Sequence, residues 1–194
     1  MFIIERSSLV NTQVICQEAI MSQCRKLVMK NGIAGVNMRS VASSCGIALG
    51  SLYNYFPSKS ALIAATVESV WTDIFYGLKQ PEPFNSFIKA VQWVHQSLHS
   101  GSLTYPGFFT LHSLSFANQD TQSARQLMQK HFANIKRHLL DALNRDIHVR
   151  ADAFDVRFTP QGLVNLSFYS VIAAVLKEEG DISTLNGLLQ RALY

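Results

Sequence analysis

Between Met38 and Phe56 two short helix-forming stretches, Met38 to Cys45 and Leu49 to Tyr55, flank a single glycine, Gly46. Glycine tolerates the positive φ of a tight turn, so two helices can cross steeply there. Ala42 is small where such helices approach, and Val41, Ile47 and Leu52 supply a small core that fixes their angle. This is the layout of a helix-turn-helix, whose second helix enters the major groove of duplex DNA. That second helix is not built for a core. Gly50 costs roughly 1 kcal/mol against alanine in a helix, and Ser51, Tyr53, Asn54 and Tyr55 are polar and aromatic rather than aliphatic. Ser51 and Tyr55 lie four apart on one face, within reach of phosphates or base edges. Gly50 removes a side chain where backbone nears DNA. Lys59, in the first turn of the next helix, joins that helix's amides in holding a phosphate. The alternative for the same residues is a helical hairpin inside an ordinary bundle, with Tyr53 and Tyr55 as half-buried packing residues.

The rest of the chain reads as helix throughout. No internal repeat or low-complexity tract is visible, and no alternation is long enough for a sheet. Asn11 or Thr12 caps a first helix that ends at Asn31-Gly32, and Pro57 opens a long fourth helix through about Gly77. Lys79 to Pro83 forms a linker, and Phe84, Phe87, Ile88, Val91, Val94 and Leu98 then recur at helical spacing until Gly101 to Gly107 breaks the run. A short helix covers Phe108 to Ala117. Asp120 or Thr121 caps a long one whose face carries Ala124, Leu127, Met128, His131, Ile135, Leu139 and Ala142. Thr159-Pro160 starts a helix to about Glu179, and a last one runs from Ser183. The expectation is an all-α chain of about nine helices.

Charge separates the two ends of the 194-residue chain. Residues 1–60 hold six basic side chains (Arg6, Arg25, Lys26, Lys30, Arg39, Lys59) against Glu5 and Glu18, while the remainder carries 11 of each sign. The whole formal charge of +4 therefore sits in the first third, which suits a polyanionic partner for that part alone. Three cysteines, Cys16, Cys24 and Cys45, are no disulfide framework, and a reducing setting is expected. The opening Met1 to Arg6 has its charges after a short apolar run, the wrong order for a secretion signal. The most apolar stretch, Leu163 to Leu176, is about 14 residues long, where a bilayer span needs about 20. A soluble, cytoplasmic protein without membrane partner is expected.

Val41-Ala42, then Gly46-Ile47-Ala48, then Gly50-Ser51-Leu52-Tyr53-Asn54-Tyr55-Phe56-Pro57-Ser58-Lys59 with Ala61-Leu62, resembles the DNA-binding signature of the tetracycline-repressor (TetR) family. Ile15, Ala19, Leu27 and Gly32 fall where that family's first helix and its glycine fall. The likeness covers about residues 11–65. It implies an N-terminal three-helix DNA-binding domain and a larger helical ligand-binding and dimerisation domain. The boundaries expected are a tail at 1–10, the helix-turn-helix domain at 11–56, a connecting helix at 57–77 and an effector domain at 78–194. By position, Arg39, Ala48, Leu49, Gly50, Ser51, Tyr53, Asn54, Tyr55 and Lys59 would meet DNA, with Tyr53, Tyr55 and Lys59 on phosphates. Cys45 departs from the aliphatic residue or alanine usual there. The implied function is a ligand-responsive repressor binding a pseudo-palindromic operator as a homodimer, with no cofactor.

Other candidates are weaker. His95 and His99 lie four apart, a two-ligand metal spacing, yet Gln96 follows His95 where a zinc protease has its glutamate base. With His112, His131 and His138 they make an effector metal conceivable, but satisfied histidines are the expectation and no metal site is assigned. No nucleophile or base is positioned for an enzyme. Cys16 and Cys24 read as core, and Cys45 as a small buried thiol near the turn. Trp93, Phe108, Phe109, Phe116, Phe132, Phe168 and Tyr169 are mostly core, and the first six are the candidate lining of a pocket for a small apolar or aromatic effector. The helix from Leu163 to Leu176 is apolar around most of its girth, so one side needs a partner copy.

Overall fold

The computed structural model describes residues 16–76, 84–109, 122–177 and 180–194, apart from the side chains of residues 76, 122–125, 127 and 128. Eight α-helices and no strand occur among the described residues: α1 Gln17–Asn31, α2 Met38–Cys45, α3 Leu49–Tyr55, α4 Lys59–Tyr76, α5 Phe87–Thr104, α6 Gln122–Arg145, α7 Pro160–Leu176 and α8 Ser183–Leu193. The described residues are all-α, as their periodicity predicts. The expected caps at Asn11, Thr12, Asp120 and Thr121, the linker at 79–83 and most of the short helix at 108–117 fall outside the described residues.

The N-terminal helices pack through one apolar stripe. Ile20, Cys24 and Val28 recur four apart on α1 and are fully buried, against Val41, Leu52 and Leu62 from α2, α3 and α4. Cys16 does not belong to this core. It stands exposed at the N-cap of α1, because the helix begins only at Gln17 and the stripe starts beyond it.

Two boundaries differ from expectation for identifiable reasons. Pro57 does not open α4. The Ser58 Oγ accepts the Ala61 amide at 3.1 Å, so Ser58 is the cap and the helix starts at Lys59. Nor does Gly101 break α5, which runs on to Thr104. Gly101 is buried where α5 crosses α4, and a Cβ there would stand 2.8 Å from Ile74 Cγ1. The glycine is present for close approach, not for a turn.

α4 is shared between two groups of helices. It packs on α1 near its start and on α5 and α6 further along. Leu62, Val67, Val70, Trp71 and Ile74 are buried along it, and the core they join is continuous from α1 to α8. α7 begins as Thr159-Pro160 predicts, the Thr159 Oγ1 accepting the Gly162 amide at 3.0 Å. Its Leu163, Val164, Phe168, Val171 and Val175 are buried, mainly against α5 and α6.

Asp146, just past α6, ties the other end of the bundle. Its carboxylate accepts the Phe87 amide at 2.9 Å, the His148 amide at 3.1 Å and the Tyr194 hydroxyl. Burial alone would raise its pKa, but the bonds from Tyr194, Phe87 and His148 outweigh burial and hold it below the ordinary 3.8. A carboxyl whose folded-state pKa is depressed lends stability above its ordinary value and loses it as pH falls through that range. Asp146→Ala leaves three donors without their acceptor and is expected to cost about 2–4 kcal/mol in urea unfolding at neutral pH. The difference from wild type should shrink below about pH 4. An unchanged urea midpoint at pH 7 would remove Asp146 from this role.

Candidate nucleic-acid interface

The reading head is assembled by local hydrogen bonding. Asn37 caps α2, its Oδ1 accepting the Arg39 and Ser40 amides at 3.1 and 3.0 Å, and Ser40 Oγ accepts the Asn37 amide in return at 3.1 Å. This reciprocal box satisfies amides that α2 itself leaves open. Gly46 sits in the left-handed region at φ 65°, and the Ile47 amide returns to Ala42 O at 3.0 Å. A side chain at that φ is strained, so the turn needs its glycine. Val41, Ala42 and Leu52 are buried and Ile47 half-buried, the small core expected from the sequence.

This rigid turn presents α3 outward. Leu52 is its buried residue, while Leu49, Tyr53 and Tyr55 are 38, 47 and 37% exposed. A hairpin buried in a bundle would cover those aromatics, and here both tyrosines face solvent. Ala48, Gly50 and Asn54 are exposed too, Ser51 is half-buried, and Arg39 and Lys59 are exposed at the starts of α2 and α4. Lys59 stands at the N-terminus of an 18-residue helix, where open amides and the helix dipole favour a phosphate. A Cβ built on Gly50 meets nothing within 4 Å, so the fold has no need of glycine there.

One basic residue of the head faces elsewhere. Arg25 is turned into α4, bonded to Ser69 Oγ and to Glu18 at 2.9 Å, while Lys26 and Lys30 are exposed on α1. Net charge alone does not separate these roles. Burial pushes the Cys24 and Cys45 thiols up, away from the reactive thiolate.

A family model described as bacterial regulatory proteins, tetR family, matches residues 20–66, which span α1 to the first half of α4. The helix-turn-helix segment is thus similar to the TetR family of bacterial regulators. The transcriptional regulator UidR of Escherichia coli K12 is 26% identical over 117 residues, which are 58% of this chain and 57% of UidR. The chain thus matches little more than half the length of these curated relatives. Among solved structures, a Streptomyces avermitilis chain aligns with 91% of this chain and 98% of its own, at TM-score 0.65 and 17% identity. BioQ with its double-stranded DNA operator aligns over 92% of each chain at TM-score 0.54 and 19% identity. The cysteine mutant of CifR with a 26 bp operator covers 93% of this chain and 96% of its own, at TM-score 0.55 and 15% identity. At these identities the likeness shows the fold alone, and it extends over nine-tenths of the chain.

The aromatic residues of the larger domain gather around a side chain that sequence spacing did not single out for the pocket. Trp71, on α4, is 1% exposed and lies 5.9, 5.6 and 6.1 Å from the rings of Phe108, Phe109 and Phe132. Phe75 and His131 stack on it, and Phe168 lies 4.9 Å from Phe132. Trp93 does not meet Trp71 itself and joins the group only through Phe75 at 5.6 Å, with Phe84 at 5.7 Å on its far side. Phe116 and His112 lie outside the described residues. The Trp71–Phe75 pair, four apart on α4, was the available signal for the cluster's centre. His131 is held by Glu68 at 2.8 Å, and His95 and His99 stack on each other at 5.8 Å. No group of three or more metal-ligating side chains occurs among the described residues.

Two substitutions separate folding from reading. Asn37→Ala is expected to lower stability by about 1 kcal/mol through the lost cap. Gly50→Ala, entering open space on a helix, is expected to raise it by about 0.5–1 kcal/mol. Thermal melts of both variants check this, and a destabilised Gly50→Ala would mean that the fold itself requires glycine there.

Proposed function

We propose that the protein is a ligand-responsive transcriptional repressor that grips a pseudo-palindromic duplex as a homodimer. The observation that carries this reading is α3, a polar and aromatic helix held outward by a capped, glycine-turned scaffold. Ala48, Leu49, Gly50, Ser51 and Asn54 approach base edges and backbone, Arg39 meets a base or a phosphate, and Tyr53, Tyr55 and Lys59 hold phosphates. We take 1–10 as a tail, 11–56 as the reading head, 57–77 as the connecting segment that carries α4 and 78–194 as the effector and dimerisation domain. The protein then works on chromosomal DNA in the cytoplasm.

Dimerisation is supported by α7. Leu166, Tyr169 and Leu176 are 51, 56 and 44% exposed, Ala173 continues their stripe, and Leu188 of α8 is exposed as well. The opposite face of α7 is already in the core, so a second copy is the natural cover for this one. Two heads would then enter major grooves about 34–36 Å apart, or a multiple of that.

The cluster around Trp71 supports a small apolar or aromatic effector. Its Nε1 hydrogen is buried without an acceptor among the described residues, which gives such a ligand one polar anchor. A ligand that binds the two states unequally, with a coupling of about 1–3 kcal/mol, weakens DNA binding roughly 5- to 150-fold.

Fragments of bacterial genomic DNA retained by the purified protein supply the duplex. Lys59→Ala should then weaken binding to every sequence and flatten the slope of log affinity against log salt by about one unit. Gly50→Ala should weaken binding despite its gain in stability. Full affinity of Lys59→Ala at low salt would defeat the phosphate role, and failure of the wild type to retain any duplex would defeat the regulator.

The stripe on α7 makes its own claim. Sedimentation at micromolar concentration should give twice the chain mass, and Leu166→Glu with Tyr169→Glu should give a folded monomer with much weaker operator affinity. A monomeric wild type would rule out the dimer.

A further inference from the structure

Arg25 makes a line of contacts that the DNA-reading role does not use. Its guanidinium donates to Ser69 Oγ on α4 and to Glu18 on α1, and its Nε lies 3.9 Å from Asp73 Oδ1 on α4. The other Asp73 oxygen accepts the Tyr105 hydroxyl at 2.7 Å. Tyr105 closes α5, its amide returning to Gly101 O at 2.9 Å, and is 1% exposed. Burial first, then Asp73, hold its hydroxyl protonated well above the ordinary tyrosine range, so it donates at every physiological pH. Its ring lies 6.3 Å from that of Phe108, which packs edge-on against Trp71. A continuous path therefore runs from the aromatic cluster, through the end of α5 and across α4, to the middle of α1.

The surroundings make this path consequential. A cleft of about 460 Å³ opens between α1 and α4, with Gln17, Met21, Ala65 and Thr72 on its walls beside Arg25 and Asp73. Ile20, Cys24 and Val28 share an apolar core with Leu62 of α4, and along this cleft the Arg25 contacts with Ser69 and Asp73 add directional polar links between the two helices.

We propose that Tyr105, Asp73 and Arg25 are positioning residues that carry the packing state of the aromatic cluster to α1 and so fix the angle of the reading head on α4. Any molecule that displaces Phe108 moves Tyr105 and loosens Asp73 from Arg25, which keeps only Ser69 on α4. This rests on the regulatory reading above and names the route by which its effector acts.

The test is amide hydrogen exchange of the full chain without DNA, for wild type, Tyr105→Phe, Arg25→Met and the double variant. Tyr105→Phe removes one hydroxyl from the other domain, yet it is expected to speed exchange in α1 about three- to tenfold, the size set by one lost hydrogen bond. Arg25→Met should do the same, and the double variant no more than either alone. A purely structural role would raise exchange in every helix together or in α5 alone. Unchanged α1 exchange in Tyr105→Phe, or effects that multiply in the double variant, would overturn the relay. Should Tyr105→Phe fail to melt cooperatively, Asp73→Asn replaces it, since it keeps an acceptor for Tyr105 while losing the charge that faces Arg25. Loss of DNA retention by the wild type would defeat the repressor and leave the exchange result to decide the relay.

Discussion

α4 reaches both ends of one continuous core, and most of the molecule's behaviour follows from that. Leu62 fills the end beneath α1 to α3 while Trp71 fills the end in the larger group of helices, and both are essentially sealed from solvent. Only nine residues separate them. At about 1.5 Å per residue the helix places the two anchors roughly 13 Å apart on one stiff rod. A flexible linker would let the head tumble as a separate bead. A helix buried at both anchors cannot be extended or bent without opening a core, so the inexpensive motion left to it is a rigid tilt.

The head itself shows where local chemistry suffices. Ala42, Gly46 and Leu52 do their work within a few residues of one another, through a close approach, a left-handed turn and a knob of packing. Such features are legible in sequence because cause and effect share the same short segment, whereas the Asn37 cap passes for part of a connector. The exposed tyrosines were legible for the converse reason, since a two-turn helix that spends its aromatics on solvent has little else to use them for.

The rest was hidden by distance along the chain. Trp71 gathers partners from α4, from the segment after α5 and from α6, and spacing on any single helix cannot reveal a meeting of three. Trp93 looked equivalent to the phenylalanines but packs against Phe75 and Phe84. Arg25 counted as one more positive charge until its bonds to Ser69 and Glu18 were visible. Pro57 and Gly101 misled in a simpler way. Each is a residue with two common uses, and only the Ser58 cap and the contact with Ile74 decide between them.

The two tryptophans differ in a way that gives the molecule an optical voice. Trp71 is enclosed by rings, with the His131 imidazole stacked flat against it at 5.1 Å, while Trp93 is only half-covered. An enclosed indole emits toward the blue and a wetter one toward the red. The wavelength of ultraviolet-excited emission therefore reports separately on the sealed joint of α4 and on the looser edge near Phe84, without any attached dye.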